Sequence, residues 1–229
     1  FCLKIKPKTM KKYFILIVLM TCIFAGYAQN LKVMSYNIRH GTDSKDQNNL
    51  DAMGAFIKTA GADIVGLQEV DSVVRRSGNV DQMKRLAAIT GMHYAFVRHY
   101  AYDGGAYGVG ILSKYPISDV QNSRLTLLKP TSRSKNTALM SAIITLPNSQ
   151  KILFSTAHFG LDASTRQLQA NETITFLKNN RMPVIFMGDL NAEPATKEIE
   201  ILSKYFVEVD PKHLFTFPVD VPKKKIDFI

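Results

Sequence analysis

The stretch Val184-Ile185-Phe186-Met187-Gly188-Asp189-Leu190-Asn191 places a short apolar run directly before an acidic residue and an amide. The apolar run predicts a buried strand. Asp189 and Asn191 are two positions apart, so on an extended chain they point to the same side. The two side chains can then converge on one phosphate or one ion at the mouth of the strand. A strand followed by an ordinary Asp/Asn turn is the alternative interpretation.

Three more polar residues stand at predicted strand ends. Asn37 closes a strand at 31–37, Glu69 closes one at 63–68, and His158 follows one at 151–157. Carboxylate and carboxamide oxygens are the ligands that Mg²⁺ prefers, so Asn37 and Glu69 are candidate metal ligands. The sequence contains no HExxH, CxxC or paired-His spacing, which argues against a structural zinc site.

These residue types together suit metal-assisted cleavage of a phosphoester. That reaction needs an oriented water, neutralised phosphate oxygens and a stabilised leaving group. Asp189 could orient or deprotonate the water, Asn191 could donate amide hydrogens to a phosphate oxygen, and His158 could supply a further N–H donor. A His/Asp pair also serves serine hydrolases, but the sequence lacks the GxSxG elbow that such enzymes need.

The hydrophobic pattern predicts an α+β fold of paired strands with a few helices. Strands in pairs favour two packed sheets with helices outside, a four-layer αββα sandwich. A doubly wound sheet is the alternative, and it is weakened because neither GxGxxG nor GxxxxGK[ST] occurs. Hairpins are predicted at Asn148 and at Lys114-Tyr115-Pro116. The remaining predicted strands span 94–98, 108–113, 117–121, 138–146, 183–187 and 225–229, and the helices span 50–60, 80–90, 162–179 and 195–203.

Residues 1–28 predict upstream sequence followed by a secretory signal. Lys11-Lys12 precede an apolar stretch, and Gly26-Tyr27-Ala28 resembles a cleavage site, so we expect one domain at 29–229 and export to the periplasm or the extracellular space. A lipoprotein anchored at Cys22 is the alternative. Five of the 29 basic residues, none of the 19 acidic ones and both cysteines lie in 1–28, so the remainder carries a net charge of +5 and no thiol. This mild positive charge suits an anionic substrate without indicating nucleic acid.

Seven motifs carry a resemblance to a known family. SYNIRHG, VGLQEVD, YGVGILSKYPI, STAHFGLD, RQLQ, GDLNAEP and KKIDFI occur in the order and rough spacing of the endonuclease/exonuclease/phosphatase family, whose fold is DNase I-like. The resemblance covers residues 31–229. It implies Mg²⁺ or Mn²⁺ as cofactor and a phosphoester substrate such as nucleic acid, a phospholipid head group or a sugar phosphate. It implies metal ligation by Asn37 and Glu69, catalytic roles for Tyr107, His158, Asp189, Asn191 and Asp227, and a buttressing position for Arg166 beside the substrate.

The end of the chain departs from the family pattern. Members of the family continue past the IDFI strand with a further strand pair and an Asp-His dipeptide, whereas this sequence stops at Ile229. We therefore expect the chain to lack its last strand pair, to leave Asp227 without an imidazole partner and to be catalytically impaired.

Two basic or aromatic segments bear on the substrate. Arg75 and Arg76, in a predicted loop after Glu69, could grip a phosphate bidentately. A second predicted loop at 98–106 mixes aromatic and basic residues and could stack a base or a sugar. Phosphodiesterase activity is the first hypothesis. A phosphomonoesterase for sugar or inositol phosphates and a noncatalytic binding protein on the same scaffold remain open, and we expect a monomer without an obligate protein partner.

Overall fold

Two β-sheets and four α-helices make up the part of the chain that the computed structural model describes, residues 30–209, 212 and 214–229. The helices are α1 (Leu50–Ala60), α2 (Gln82–Thr90), α3 (Ala163–Leu177) and α4 (Lys197–Leu202). The strands are β1 (Val33–Asn37), β2 (Ile64–Ser72), β3 (His93–Tyr102), β4 (Gly105–Ser113), β5 (Ile117–Thr126), β6 (Asn136–Thr145), β7 (Lys151–His158), β8 (Val184–Asp189) and β9 (Asp227–Phe228).

The first sheet has the strand order β1-β2-β4-β3, with β1 and β2 parallel and the other pairs antiparallel. Helices α1 and α2 cover one face of it. Their buried residues Met53, Ile57 and Leu86 join a single apolar cluster with Val65 and Leu67 of β2. Helix α1 ends at its predicted residue because Gly61 adopts the left-handed conformation that terminates helices.

The second sheet has the order β5-β6-β7-β8-β9, in which β7 and β8 are parallel. Helices α3 and α4 pack on it, and Ile174 and Leu202 join a cluster with Phe186 of β8. Asp162 caps α3 by accepting a hydrogen bond from the Thr165 amide at 3.0 Å. The buried stripe of α3 is partly polar, because it includes Gln169 and Thr173.

The uncovered faces of the two sheets meet at small and polar residues. A Cβ at Gly66 of β2 would lie 2.9 Å from both Met187 Sδ and Thr156 Oγ1, so only glycine admits this approach. Beside it, Gln68 Nε2 donates to Thr156 Oγ1 at 2.8 Å. Helices, sheet, sheet and helices thus form the expected α+β four-layer αββα sandwich.

The structure corrects three details of the predicted elements. Strand β2 does not end at Gln68 but continues to Ser72 through a bulge between Leu67 and Val70. The residues 114–116 do not form a hairpin, because β4 and β5 belong to different sheets and this segment crosses between them. The predicted rim loop at 98–106 consists mostly of strand, since β3 and β4 form a hairpin with its turn at Asp103-Gly104.

The predicted leader at 1–28, including Cys22, lies outside the described residues. Within the described ranges, no helix has both the length and the apolar character needed to cross a membrane.

Candidate active site

The two sheets meet at one end of the sandwich through the amide of Asn37. Its Nδ2 donates to Glu69 Oε1 and to Asp189 Oδ2, both at 3.0 Å. Glu69 belongs to the first sheet and Asp189, 152 residues beyond Asn37, to the second. The Asn37 side chain is oriented from the other side by the Arg39 amide, which donates to Asn37 Oδ1 at 2.9 Å. Three candidate site residues therefore converge on one point.

Glu69 reaches this point through irregular backbone. It lies in the β2 bulge with a φ of 56°, a left-handed conformation that is uncommon for a residue with a side chain. A bulge redirects one side chain relative to the regular alternation of the strand, and here it aims Glu69 at Asn37. The other carboxylate oxygen, Oε2, lies 3.9 Å from His40 Nδ1.

The second sheet and the loop after β8 supply three side chains on the Asp189 side of Asn37. His158 and Asp189 end the neighbouring parallel strands β7 and β8 in direct register, and His158 Nε2 lies 3.7 Å from Asp189 Oδ2. The Asn191 amide nitrogen is 3.0 Å from His158 Nε2 and donates to the Phe159 carbonyl at 2.9 Å. In this structure Asn191 therefore orients His158, and its predicted donation to a phosphate oxygen stays a prediction.

Asp227 adds a third carboxylate on the same side. It lies on β9 directly opposite Asp189, and its backbone amide donates to Thr216 Oγ1 at 3.3 Å. Burial, reinforced by the negative charge of Asp189, raises the pKa of the Asp227 carboxyl to about 6. The Asp227 carboxyl therefore takes up a proton at a higher pH than an ordinary aspartate does.

Tyr107 lies on β4 opposite Asp71, on the first-sheet side of the site. Burial first, and then the negative charge of Glu69, raise the pKa of the Tyr107 hydroxyl far above its ordinary value. The hydroxyl therefore keeps its proton and can act as a hydrogen-bond donor throughout the physiological pH range.

The two predicted substrate arginines after β2 are held differently. Arg76 makes a bidentate pair with the fully buried Asp71, with Nε and Nη2 at 2.8 and 2.9 Å from its oxygens. Its guanidinium carbon also lies 4.7 Å from the centre of the Tyr102 ring and 5.4 Å from that of Tyr107. Arg75 is mostly exposed and pairs with Asp103 at 3.2 Å. Arg76 thus borders the site through Tyr107, and Arg75 faces outward.

Arg166 lies in the first turn of α3 and makes its ion pair outside the candidate active site, away from Asp189 and Asp227. Its Nε donates to Glu198 of α4, a residue only 1% exposed, and its Nη1 donates to the Leu161 carbonyl. The pair joins the two helices of the outer layer. No contact with His158, Asp189 or Asn191 is formed by Arg166 among the described hydrogen bonds.

Two histidines near the site were not assigned a role from the sequence. His40, in the SYNIRHG motif, approaches Glu69, and its carbonyl accepts a hydrogen bond from Gln82 at 2.6 Å. His99 is buried, accepts a hydrogen bond from the Ala138 amide at 2.7 Å, and packs its ring 5.5 Å from that of Tyr107. Burial lowers the pKa of His99 to about 3, so this imidazole stays neutral. The position of His40, three residues after Asn37, indicates in the sequence that His40 lies near the site. His99 stands in a segment that resembles a loop and gives no such indication.

The donors at this point fit a hard divalent cation. Glu69 and Asp189 offer carboxylate oxygens, and residues 29–229 contain no cysteine. The Asn37 carboxamide turns its Nδ2 to both carboxylates and its Oδ1 to the Arg39 amide, so its oxygen would ligate a cation only after the amide turns over. Within the described ranges, no three His, Cys, Asp or Glu side chains cluster closely enough to form an all-protein metal cage. Mg²⁺ ordinarily binds through one or two carboxylates and keeps several waters, so a sparse oxygen donor set of this kind suits it.

Comparison with known proteins agrees with the geometry. The profile of the Endonuclease/Exonuclease/phosphatase family matches residues 34–213. The chain belongs to this family. Membership implies phosphoester hydrolase activity, and phosphoesters such as nucleic acids or sugar phosphates are the substrates that the family acts on.

Individual relatives are distant. The chain is 26% identical over 216 residues to the uncharacterized protein YbhP of Escherichia coli K12, covering 87% of this chain and 84% of YbhP. Among solved structures, mannosyl-6-phosphatase Bt3783 of Bacteroides thetaiotaomicron superimposes with a TM-score of 0.66 at 17% identity, covering 87% of this chain and 84% of the other. A humanized TDP2 of D. rerio gives 0.61 at 19% identity, covering 86% and 81%. These two similarities concern the fold alone.

Proposed function

We propose that the protein is an exported phosphodiesterase that depends on Mg²⁺, with Mn²⁺ as a substitute. The observation that supports this best is the Asn37 amide, which lies 3.0 Å from Glu69 and from Asp189 and so brings acidic side chains of both sheets to one point. Carboxylates gathered this closely repel one another, and a divalent cation relieves that repulsion.

Asn37 and Glu69 are the residues that would hold the cation. When bound, Mg²⁺ supplies positive charge that neutralises phosphate oxygens and lowers the pKa of a coordinated water. The cation thus provides the electrostatic part of the reaction, and the surrounding side chains provide orientation and proton transfer.

The second sheet supplies Asp189 and His158 for this purpose, and the first sheet supplies Tyr107. Asp189, buried and fixed by the Asn37 amide and by the Asn191 backbone amide at 3.0 Å from its Oδ1, orients the attacking water and accepts its proton. His158, held by the Asn191 side chain, contacts the scissile phosphate. Tyr107 donates a hydrogen bond from its protonated hydroxyl to a phosphate oxygen. These are the roles that the resemblance to the family implies for Asp189, His158 and Tyr107.

Phosphomonoester hydrolysis is the second candidate function. It is supported by the shared fold of Bt3783, which is a mannosyl-6-phosphatase. The two reactions use the same water and the same cation and differ in the number of ester bonds on the phosphate. The residues around Asn37 suit both reactions, so the relative rates on a phosphodiester and a phosphomonoester decide between them.

The test is the hydrolysis of bis(p-nitrophenyl) phosphate and of p-nitrophenyl phosphate by the purified protein. We expect the diester to be cleaved faster, with activity in Mg²⁺ or Mn²⁺ and none in excess EDTA. Faster cleavage of the monoester would replace the phosphodiesterase proposal with the phosphatase one. Full activity after exhaustive chelation would overturn the metal-dependent mechanism.

The location and assembly are proposed from the sequence. Export to the periplasm or extracellular space is supported by the predicted signal in 1–28, and action as a monomer by the gathering of the site residues within one chain. Cell fractionation with a C-terminal tag, together with gel filtration, tests both. Recovery of full-length precursor in the cytoplasm, or a stable dimer, would contradict them.

A further inference from the structure

A basic and aromatic cluster lies beside the candidate active site, formed by residues from three separate segments. Arg76 follows β2, Tyr102 ends β3, and Arg133 belongs to the 127–135 connection between β5 and β6. The guanidinium carbons of Arg76 and Arg133 are each 4.7 Å from the centre of the Tyr102 ring. We refer to these three residues as the rim cluster.

The positive charge of the rim cluster is only partly neutralised by the protein. Arg76 has Asp71 as a bidentate partner, but Arg133 forms no ion pair with an acidic side chain among the described residues. Its own connection contains Lys129 and Lys135 and no acidic residue. Because both guanidinium groups lie against one ring, they cannot be farther apart than twice 4.7 Å, and they repel each other.

The ring at the centre of the cluster is already engaged by protein groups. In addition to the two guanidinium groups, Tyr100 meets Tyr102 edge-on at 6.2 Å. A base or sugar that stacked on Tyr102 would compete with these contacts. The unused N–H donors of Arg76 and Arg133 instead favour an anion, because guanidinium groups bind phosphate oxygens through paired hydrogen bonds.

The rim cluster is linked to the reacting centre through Tyr107. The centre of the Tyr107 ring lies 5.4 Å from the Arg76 guanidinium carbon, and the negative charge of Glu69 helps to raise the pKa of the Tyr107 hydroxyl. An anion at the rim cluster would therefore lie one side chain away from a phosphate at Tyr107. The two positions are neighbouring and separate.

We propose that Arg76, Tyr102 and Arg133 form a subsite for a second phosphate of the substrate, so that the preferred substrates carry another phosphate near the one that is hydrolysed. This inference rests on the proposed function, since it takes the Asn37 end of the sandwich as the reacting centre. The second phosphate could belong to a small bisphosphorylated molecule or to the next nucleotide of a strand.

The test uses phosphonates, whose C–P bonds are not hydrolysed, so it does not depend on activity. Propane-1,3-bisphosphonate and propylphosphonate are titrated into the protein in Mg²⁺ by calorimetry. We expect the wild type to bind the bisphosphonate about tenfold more tightly, as suits one additional charge-assisted contact. Arg133→Ala should reduce this preference to less than about threefold and leave the affinity for propylphosphonate unchanged, and Arg133→Lys should retain part of it.

The matched control is Arg181→Ala, which removes another exposed arginine that makes no aromatic contact or ion pair within the described part of the chain. It should keep the wild-type preference. A repeat in EDTA compares thymidine 3′,5′-bisphosphate with thymidine 5′-monophosphate, and fructose 1,6-bisphosphate with fructose 6-phosphate. The pair that shows the larger Arg133-dependent preference identifies the source of the second phosphate.

Three results would overturn the subsite. They are equal affinity of the wild type for both phosphonates, an unchanged preference in Arg133→Ala, and an equal loss of affinity for both phosphonates in that variant. Failure of the hydrolase proposal has a different signature, because a protein that turned over no phosphoester could still show the Arg133-dependent preference in calorimetry.

Discussion

The two sheets contribute to the candidate active site by different structural means. In the second sheet, His158 and Asp189 end neighbouring parallel strands in register, so their proximity follows from regular β geometry. In the first sheet, Glu69 lies within a strand and reaches the site only through a bulge and a left-handed backbone conformation. The second sheet therefore positions His158 and Asp189, which suit phosphate contact and proton transfer, by regular strands. The first sheet positions the candidate metal ligand Glu69 by an irregular strand.

This difference suggests a division of labour that can be measured. Regular strand ends hold a side chain firmly at low conformational cost, which suits residues that must meet a reacting atom in one geometry. Strained backbone at functional sites persists where the surrounding structure holds it in place, and here Asn37 connects the bulge to Asp189. Metal dependence should therefore respond to the first sheet and the turnover rate to the second.

The largest effect is expected at the bulge. Glu69→Gln keeps the shape of the side chain but removes the charge that would hold Mg²⁺, so metal-dependent turnover of bis(p-nitrophenyl) phosphate should fall by about 10⁴-fold. The measurement is a Mg²⁺ titration of the initial rate. If Glu69→Gln kept the wild-type rate and the wild-type Mg²⁺ concentration for half-maximal rate, Glu69 would not be a metal ligand. The proposed division of roles between the sheets would then be wrong.

A smaller loss of rate is expected in the second sheet. Asp189→Asn should lower kcat by about 10³-fold, because the base that accepts the proton of the water is lost. The Mg²⁺ concentration for half-maximal rate should stay close to that of the wild type, in contrast to Glu69→Gln. A large shift of that midpoint would mean that Asp189 is also a metal ligand and that the two halves share one role.

Arg166 distinguishes support of the second sheet from contact with substrate. Arg166→Met leaves Glu198, 1% exposed, as a buried charge without its partner, and should lower the free energy of unfolding by about 3 kcal/mol. The double variant with Glu198→Gln should recover most of this loss in urea denaturation. Unchanged stability together with a raised KM would favour the substrate role that the sequence suggested.

The smallest effect concerns the pH dependence of stability at Asp227. Its folded pKa of about 6 lies above the ordinary value of 3.8, so the folded state favours the protonated form. The contribution of Asp227 to stability should therefore fall as the pH rises through about 4 to 6, and Asp227→Asn should remove this fall and be about 2 kcal/mol more stable than the wild type at pH 7.5 in EDTA.

Urea denaturation at pH 4 and pH 7.5 measures the Asp227 effect, and Asp220→Asn, at an exposed carboxylate of the same segment, is the control. The control should leave both values unchanged. If Asp227→Asn were less stable than the wild type at pH 7.5, the carboxylate would have a stabilising partner that offsets its burial.

The residues that sequence analysis located well are those governed by local rules. The span of α1 follows from its periodicity and from Gly61, and Asp189 and Asn37 follow from apolar strands that end in polar residues. The continuation of β2 beyond Glu69 was missed because a bulge depends on the partner strand β4, which local periodicity does not reveal.

The remaining differences also arise from long-range pairing. The segment Lys114-Tyr115-Pro116 has the composition of a tight turn, and the same residues serve equally to cross from one sheet to the other. The 98–106 segment has the sequence character of a loop because Arg98, His99 and Tyr100 are not an alternating apolar run. Their strand is stabilised from the second sheet, where Arg124 and Asn122 donate to the Arg98 carbonyl.

The two hydrogen bonds from Asn37 to Glu69 and Asp189 have a consequence for the synthesis of the protein. During synthesis, Asn37 and Glu69 leave the ribosome more than a hundred residues before Asp189, so the nascent chain carries one half of the machinery without the other. Under the proposed function, hydrolytic competence would require the late strands to dock, because Asp189 and Asp227 belong to them. A chain still being made would then be inactive toward the phosphate-rich molecules that surround it.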